Sequence, residues 1–254
     1  MEKTEKQPFK FGLVGKAISY SFSRGYFEEK FKNLDLPHHS YKNFDLDTIE
    51  EFSALYANTQ YLKGLNVTIP YKEAVIPYLD ALDDSAKEIG AVNTIKITKK
   101  GLKGYNTDAY GFQMSLEPFL KNHHDNALIL GTGGASKAIA YVLQKLDINF
   151  KFVSRTGKNS GLSYEDLNPK IINENALIIN CSPVGTYPDI KAKPAIPYSG
   201  ISKKHLLYDL IYNPEQTAFL TEGKKRGAQI CNGLRMLELQ AEKAWEIWNE
   251  RSQY

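Results

Sequence analysis

One stretch near the middle of the chain, ALILGTGGASKAIAYVLQKL (127–146), constrains the fold more than any other. Leu128, Ile129 and Leu130 form a short apolar run of the kind buried in a parallel sheet. Gly131, Gly133 and Gly134 permit a tight turn, and from Ala135 onward the residues take helical spacing. A strand that passes through glycines into a helix aims backbone N–H groups and the positive end of a helix dipole at one point. That is a seat for a pyrophosphate. The spacing is G-x-G-G-A-S rather than G-x-G-x-x-G, with Ser136 near the usual third small residue, so the fingerprint is a variant. Its plain alternative is a structural turn.

The neighbouring sequence repeats the alternation. Strand patterns at 9–15, 39–46 and 64–69 alternate with helical ones at 24–34 and 48–58, the second capped by Asp45 or Asp47. Residues 91–108 read as a hairpin turning at Lys99–Lys100–Gly101. A helix at 109–121 precedes the glycine stretch, and strands recur at 150–155, 176–182, 206–212 and 227–233. Alternation of this kind means a parallel sheet covered by helices. The expected fold is α/β in two domains, the second a Rossmann-like parallel sheet. The expected boundaries are 1–107, 108–233 and a C-terminal helix, 234–254. A length of 254 residues accommodates two such cores.

The strand after a dinucleotide loop selects the cofactor. An acidic residue at its end binds the ribose 2′-hydroxyl of NAD, whereas cations suit the 2′-phosphate of NADP. Here it ends FVSRTGK, with Ser154, Arg155, Thr156 and Lys158 and no carboxylate, which favours NADP(H). The alternative is that Arg155 and Lys158 are solvated loop charges.

Composition narrows the remaining classes. A net charge of +3 with well-mixed signs leaves no polybasic block, so nucleic acid is not an expected partner. No apolar run approaches the roughly 18 residues that span a bilayer, and the opening MEKTEKQPFK lacks a signal-peptide core. Cys181 and Cys231 form no metal motif or disulfide framework, and the five histidines read as surface residues, so no metal is expected. The expectation is a soluble cytoplasmic protein, monomer or homodimer, acting on a small molecule.

Polar residues cluster where such chemistry needs them. GLNVTIPYK (64–72) sets Asn66 and Thr68 on alternate positions of a strand, then stops at Pro70 and supplies Lys72. Ser19, Ser21 and Ser23 alternate after the first strand, Asn93 and Asp108 flank the hairpin, and Gln240 borders the apolar stripe of the last helix. Singly these read as turn serines, a hairpin amide, a helix cap and a solvated edge.

Together, in order along most of the chain, the motifs resemble one family. They are V-G-x-x-I-x-x-S-x-S (14–23), G-x-N-V-T-x-P-x-K (64–72), G-A-V-N-T (90–94) and G-x-N-T-D-x-x-G (104–111). G-x-G-G-A-x-x-A (131–138), SRT (154–156), INCSPVGTYP (179–188), YDLIYNP (208–214) and G-x-x-M-L-x-x-Q (233–240) follow. The chain is similar to the shikimate dehydrogenases, which reduce 3-dehydroshikimate with NADPH in aromatic amino-acid synthesis. The resemblance implies that Ser21, Ser23 and Tyr212 hold the substrate carboxylate. It implies that Thr68, Lys72, Asn93, Asp108 and Gln240 hold the ring hydroxyls. Lys72, paired with Asp108, is the implied proton-transfer residue. Gly131, Gly133, Gly134, Ala135 and Ser136 would bind pyrophosphate. Ser154, Arg155, Thr156 and Lys158 would bind the adenosine phosphate. Leu210 and Gly233 would border the nicotinamide, Asp84 lies where the family often has an acidic residue near the cofactor, and in the family's fold the C-terminal helix returns to the first domain.

Departures accompany the match. Ala17, Tyr20 and Arg24 replace the family's usual Pro, His and Pro around the paired serines, and SRTGKN replaces N-R-T-x-x-R. Cys181 stands where Thr is common and reads as a small core residue. A quinate or dual-specificity NAD enzyme is the alternative, and a non-catalytic dinucleotide sensor a further one. The spatial expectation common to the enzyme readings is that Lys72 and Asp108 converge beside the nicotinamide.

Overall fold

A computed structural model describes residues 8–19, 21–157 and 161–250, so Tyr20 and Lys158, both singled out in the sequence, lie outside the described residues. The chain divides into two compact units, 1–107 with 241–254 and 108–240. The division falls inside the last helix, after Gln240, rather than at residue 234 where the helical pattern begins.

The first unit is built on β1 (Lys10–Gly15), β2 (Ser40–Asp45), β3 (Leu62–Val67), β4 (Ala81–Leu82), β5 (Thr94–Thr98) and β6 (Gly101–Tyr105), in the order β2-β1-β3-β5-β6-β4. β1 runs parallel to β2 and β3, whereas β5 is antiparallel to both β3 and β6. The sheet is therefore mixed, because a tight hairpin reverses the chain where a helical crossover would preserve its direction. Its turn is set by Gly101 at φ +112°, beside Asp80, whose Oδ2 accepts the Leu102 N–H at 2.7 Å.

Alternation along each strand supplies two cores, one per face. Phe11, Leu13 and Tyr41 pack with α1 (Phe22–Asn33) and with Ala241, Ala244 and Trp248 of the last helix, α9 (Leu234–Asn249). Val14, Leu65, Val67 and Ile95 share the opposite core with Phe52 of α2 (Glu51–Asn58), Val75 next to α3 (Tyr71–Ala74) and Ala86 of α4 (Asp84–Ile89). Trp248 is fully buried, and its indole N–H donates to the Ile95 carbonyl at 3.0 Å. Only a glycine fits beneath it, since a Cβ at Gly64 would fall 2.2 Å from the indole nitrogen.

The second unit is the doubly wound sheet the sequence pattern implies. β7 (Asn126–Leu130), β8 (Asn149–Ser154), β9 (Gly161–Ser163), β10 (Leu177–Asn180), β11 (Leu206–Asp209) and β12 (Gln229–Cys231) are all parallel, in the order β9-β8-β7-β10-β11-β12. Strand order reverses between β7 and β10, the crevice where such folds bind ligands. The covering helices are α5 (Thr107–Leu116), α6 (Gly134–Lys145), α7 (Pro169–Glu174) and α8 (Ala218–Lys225). β9 carries no strong strand signal in the sequence and is found only here.

Two expectations need correction. Helix α2 begins at Glu51 with no side-chain cap, so neither Asp45 nor Asp47 serves it. The Asp45 carboxylate instead accepts the N–H groups of Ala17, at 2.7 Å, and Ile18, at 3.3 Å. The histidines are not all at the surface: His124 is 4% and His205 1% exposed. Each accepts a backbone N–H at Nδ1, from Lys121 at 3.2 Å and Ser202 at 3.0 Å. Nε2 then carries the proton and donates to a carbonyl, Lys204 at 3.1 Å and Ile172 at 2.9 Å. Backbone partners let an imidazole be buried without a metal.

Candidate active site

In the first unit the candidate residues gather where the chain leaves β1 and β3. Ser21 caps α1, its Oγ accepting the Arg24 N–H at 3.4 Å, and Ser23 lies in the first turn, 8% exposed. Ala17, at the position where the family usually has proline, adopts φ +56°, which a proline ring cannot reach. The Asp45 carboxylate holds that turn.

β3 ends two residues earlier than its β-branched run suggests. The Thr68 N–H makes the last bond to β1, at 2.8 Å to the Val14 carbonyl, and the Thr68 carbonyl then accepts the Tyr71 N–H at 2.9 Å. Asn66 is buried, whereas Thr68, one residue beyond the paired strand, is half-exposed. Gly15 makes room for Thr68, since a Cβ there would lie 2.5 Å from its methyl group. Lys72 sits in the one-turn helix α3, half-buried rather than on a solvated edge. Its turn is pinned by the Val92 N–H, which donates to the Lys72 carbonyl at 2.7 Å, and by the Tyr71 hydroxyl, which donates to the Leu46 carbonyl at 2.8 Å.

Asn93 is 3% exposed and held on several sides. Its Oδ1 accepts the Thr107 N–H at 2.7 Å and the Thr94 hydroxyl at 3.1 Å, while its Nδ2 donates to Thr107 Oγ1 at 3.0 Å. Asp84 is exposed in the first turn of α4, which Asp83 caps through the Ala86 N–H at 3.0 Å.

In the second unit backbone geometry dominates. Gly131 has φ +114°, and a Cβ there would crowd the backbone of Cys181 and Ser182 at 3.3 Å. Gly133 caps α6 without a side chain, and a Cβ there would meet nothing within 4 Å. The loop thus leaves open space over the N–H groups of the first helical turn, at Gly134 and Ala135. Ser136 is 1% exposed and donates its hydroxyl proton to the Gly133 carbonyl at 2.6 Å, which braces the loop.

At the end of β8, Ser154 Oγ accepts the Gly157 N–H at 3.2 Å, closing a turn in which Gly157 has φ +66°. That turn exposes Arg155 and Thr156, and Arg155 has no ion pair among the described residues. Cys181 is partly buried, and burial pushes its thiol up, so it is an inert packing group.

Asp108 lies in the first turn of α5, 7% exposed, where the helix dipole favours a carboxylate. Gln240 is brought against the same helix at Gly111, where a Cβ would lie 2.5 Å from the Met236 carbonyl and 3.1 Å from Gln240 Cβ. Glycine at 111 lets α9 cross α5 closely enough to gather Asp108 and Gln240 in one unit. Gly233 works similarly, a Cβ there falling 2.1 Å from the Leu210 carbonyl oxygen. Tyr212 is 37% exposed, and partial burial raises its phenol pKa.

Two residues without an assigned role in the sequence reading organise this region. Asn180 and Asp209, both fully buried, end the adjacent strands β10 and β11. Asn180 Nδ2 donates to Asp209 Oδ1 at 3.0 Å, and Asn180 Oδ1 accepts the Ser182 hydroxyl at 2.7 Å. Asp209 also accepts the Ile211 N–H at 3.1 Å and the Thr217 hydroxyl at 2.6 Å. Burial pushes its carboxyl up to about 6 against the pull of these bonds. The available signal was two polar residues in register at the ends of otherwise apolar strands.

Fold and geometry define a class: two-unit α/β proteins that couple a mixed-sheet unit carrying a polar side-chain cluster to a doubly wound unit with a glycine loop. Residues 13–95 match the family described as the shikimate dehydrogenase substrate binding domain. The chain is 40% identical over 250 residues to a shikimate dehydrogenase (NADP+) of Clostridium beijerinckii, covering 94% of this chain and 92% of that one. It is 36% identical over 260 residues to the counterpart in Methanosphaera stadtmanae, covering 95% and 91%. The solved structure of a Thermus thermophilus shikimate 5-dehydrogenase in complex with NADP(H) and shikimate superposes with TM-score 0.84 at 30% identity, covering 96% and 94%. This chain belongs to the shikimate dehydrogenase family.

No helix among the described residues is long and apolar enough to cross a membrane. No group of three His, Cys, Asp or Glu side chains among them is placed to hold a metal ion.

Proposed function

We propose that the chain catalyses the reversible NADP(H)-dependent reduction of 3-dehydroshikimate to shikimate. The observation that carries this reading is identity of 36–40% to NADP+-dependent shikimate dehydrogenases over more than nine-tenths of each chain. The second unit's own residues fit the cofactor. The open glycine loop presents helical N–H groups to a pyrophosphate, and the exposed Arg155 with no carboxylate beside it suits a 2′-phosphate. When bound, the cofactor supplies or accepts the hydride.

The chain's side chains handle the substrate and the proton. As the ketone gains hydride its oxygen becomes anionic, and the Lys72 ammonium stabilises it and delivers the proton that completes the alcohol. In the reverse direction the Lys72 amine takes that proton, with Asp108 as its electrostatic partner. Ser21 uses a lone pair to accept Arg24 N–H, so its proton serves a substrate carboxylate, as do the hydroxyls of Ser23 and Tyr212. Thr68, Asn93 and Gln240 supply donors and acceptors for ring hydroxyls. In this reading Leu210 and Gly233 border the nicotinamide, and Asp84 lies on the cofactor side of its unit.

A spectrophotometric assay of the purified chain tests the proposal, pairing shikimate and quinate with NADP+ and NAD+ in turn. Shikimate with NADP+ is expected to be the fastest pair. Nicotinamide reduction in none of the four would overturn the reading, and preference for quinate with NAD+ would replace it with the alternative.

A further inference from the structure

Asn93, one of the residues proposed to hold substrate, is braced by two buried side chains for which the reaction gives no role. The Tyr41 hydroxyl donates to Asn66 Oδ1 at 2.8 Å. Asn66 Nδ2 then donates to the Asn93 carbonyl at 3.3 Å and to Thr94 Oγ1 at 3.2 Å. Thr94 in turn donates to Asn93 Oδ1 at 3.1 Å. The series Tyr41–Asn66–Asn93 thus crosses the face of the sheet from β2 over β1 to β3 and the start of β5. Tyr41 and Asn66 are 2% and 4% exposed, and the Tyr41 ring stacks on Phe27 of α1 with centroids 4.7 Å apart.

We infer that Tyr41 is a positioning residue for substrate, fixing the Asn66 amide and through it Asn93. The inference deepens the proposed reaction and rests on it. A packing role alone would be met by phenylalanine, because Phe27 stacking and burial need only the ring. The hydroxyl does what a ring cannot: it fills the Asn66 acceptor and thereby dictates which end of that amide faces Asn93. A turned amide would present an oxygen to the Asn93 carbonyl, two acceptors in contact, and shift the backbone that carries the substrate-binding side chain.

The test uses Tyr41→Phe in the full chain, with three readouts: KM and kcat for shikimate, NADP+ affinity by direct titration, and the thermal midpoint. KM is expected to rise about tenfold, the scale of one hydrogen bond lost from a buried network. NADP+ affinity should be unchanged and kcat should stay within about threefold. A double-mutant cycle with Asn66→Ala separates positioning from stability. If Tyr41 acts through the Asn66 amide, the double variant binds shikimate much less weakly than the product of the two single effects. Unchanged KM in Tyr41→Phe would overturn the inference. So would losses that multiply in the double variant, or NADP+ affinity falling in step with shikimate binding. Inactivity of the unmodified chain would instead overturn the reaction on which it rests.

Discussion

The two units position functional groups by opposite means. The first does it with side chains: Asn93, Asn66, Thr94 and Tyr41 bond to one another, and several of them are less than 5% exposed. The second does it largely with backbone, through glycines that let the Leu210 and Met236 carbonyls come within distances no Cβ would tolerate, and through Gly131 in the left-handed region at φ +114°. A polyhydroxylated ring needs donors and acceptors at many specific points, which only side chains supply. A pyrophosphate needs an array of N–H groups in one concavity, which a helix N-terminus and a glycine turn supply at no side-chain cost. The exception in the second unit is the Asn180–Asp209–Thr217 set, a side-chain clamp that ties the ends of two strands to the loops following them.

The largest effect that would break this contrast is at Lys72. Lys72→Ala is expected to lower turnover by at least about a hundredfold, the scale of general acid–base catalysis, with NADP+ affinity nearly intact. Parallel loss of turnover and cofactor affinity would show that the lysine supports the fold, and that the first unit's side chains are not dedicated to substrate. Steady-state kinetics with a fluorescence titration of the cofactor distinguishes the two.

Arg155→Ala sharpens the contrast from the other side, since it removes a proposed cofactor contact in the second unit made by a charged side chain rather than by backbone. NADP+ binding should weaken by about tenfold to a hundredfold, the range of a charge-assisted hydrogen bond. NAD+ binding should change little, and the shikimate KM at saturating cofactor not at all. Equal weakening of both cofactors would remove the 2′-phosphate assignment and leave the loop's N–H groups as the whole site.

How legible each unit was in the sequence follows from the same contrast. The doubly wound unit could be read because glycine spacing and apolar strands are local signals: β7, its turn and α6 stand where the pattern places them. The strands' ends were harder. The pattern carries β10 to Ser182 and β11 to Tyr212, whereas ladder pairing stops at Asn180 and Asp209. Cys181 and Ser182 after β10, and Leu210, Ile211 and Tyr212 after β11, continue the small or apolar pattern past the last paired residue, and these short overruns are the loops that border the proposed cofactor site. In the first unit, Lys72 and Asn93 were visible as polar residues beside strands. The bonds of Asn66 to Tyr41 join residues 25 apart in sequence, and no local rule encodes them. The burial of His124 was hidden for the same reason, its partner carbonyl lying 80 residues away.

That histidine gives the smallest of the expected effects and extends the contrast to stability. Burial lowers the pKa of His124, and its Nδ1 is occupied by the Lys121 N–H, so charging the ring breaks a hydrogen bond the neutral form makes. At and below about pH 6.5, the ordinary histidine value, the unfolded chain therefore binds more protons than the folded one, and this group's contribution to stability is lost as pH falls. Asp209 acts in the opposite sense: with its pKa raised to about 6, the folded state binds more protons than the unfolded one between roughly pH 4 and that value, so acidification through this window favours folding. Urea denaturation at pH 7.5 and pH 5.5 of the native chain and of His124→Gln separates the two. The substitution is expected to cost about 1 kcal/mol at pH 7.5, the worth of a typical hydrogen bond, and less at pH 5.5, because the variant has no imidazole to charge. Parallel losses at both pH values would mean that the ring charges in place, and that the backbone bonds at Lys121 and Lys204 do not hold the neutral tautomer.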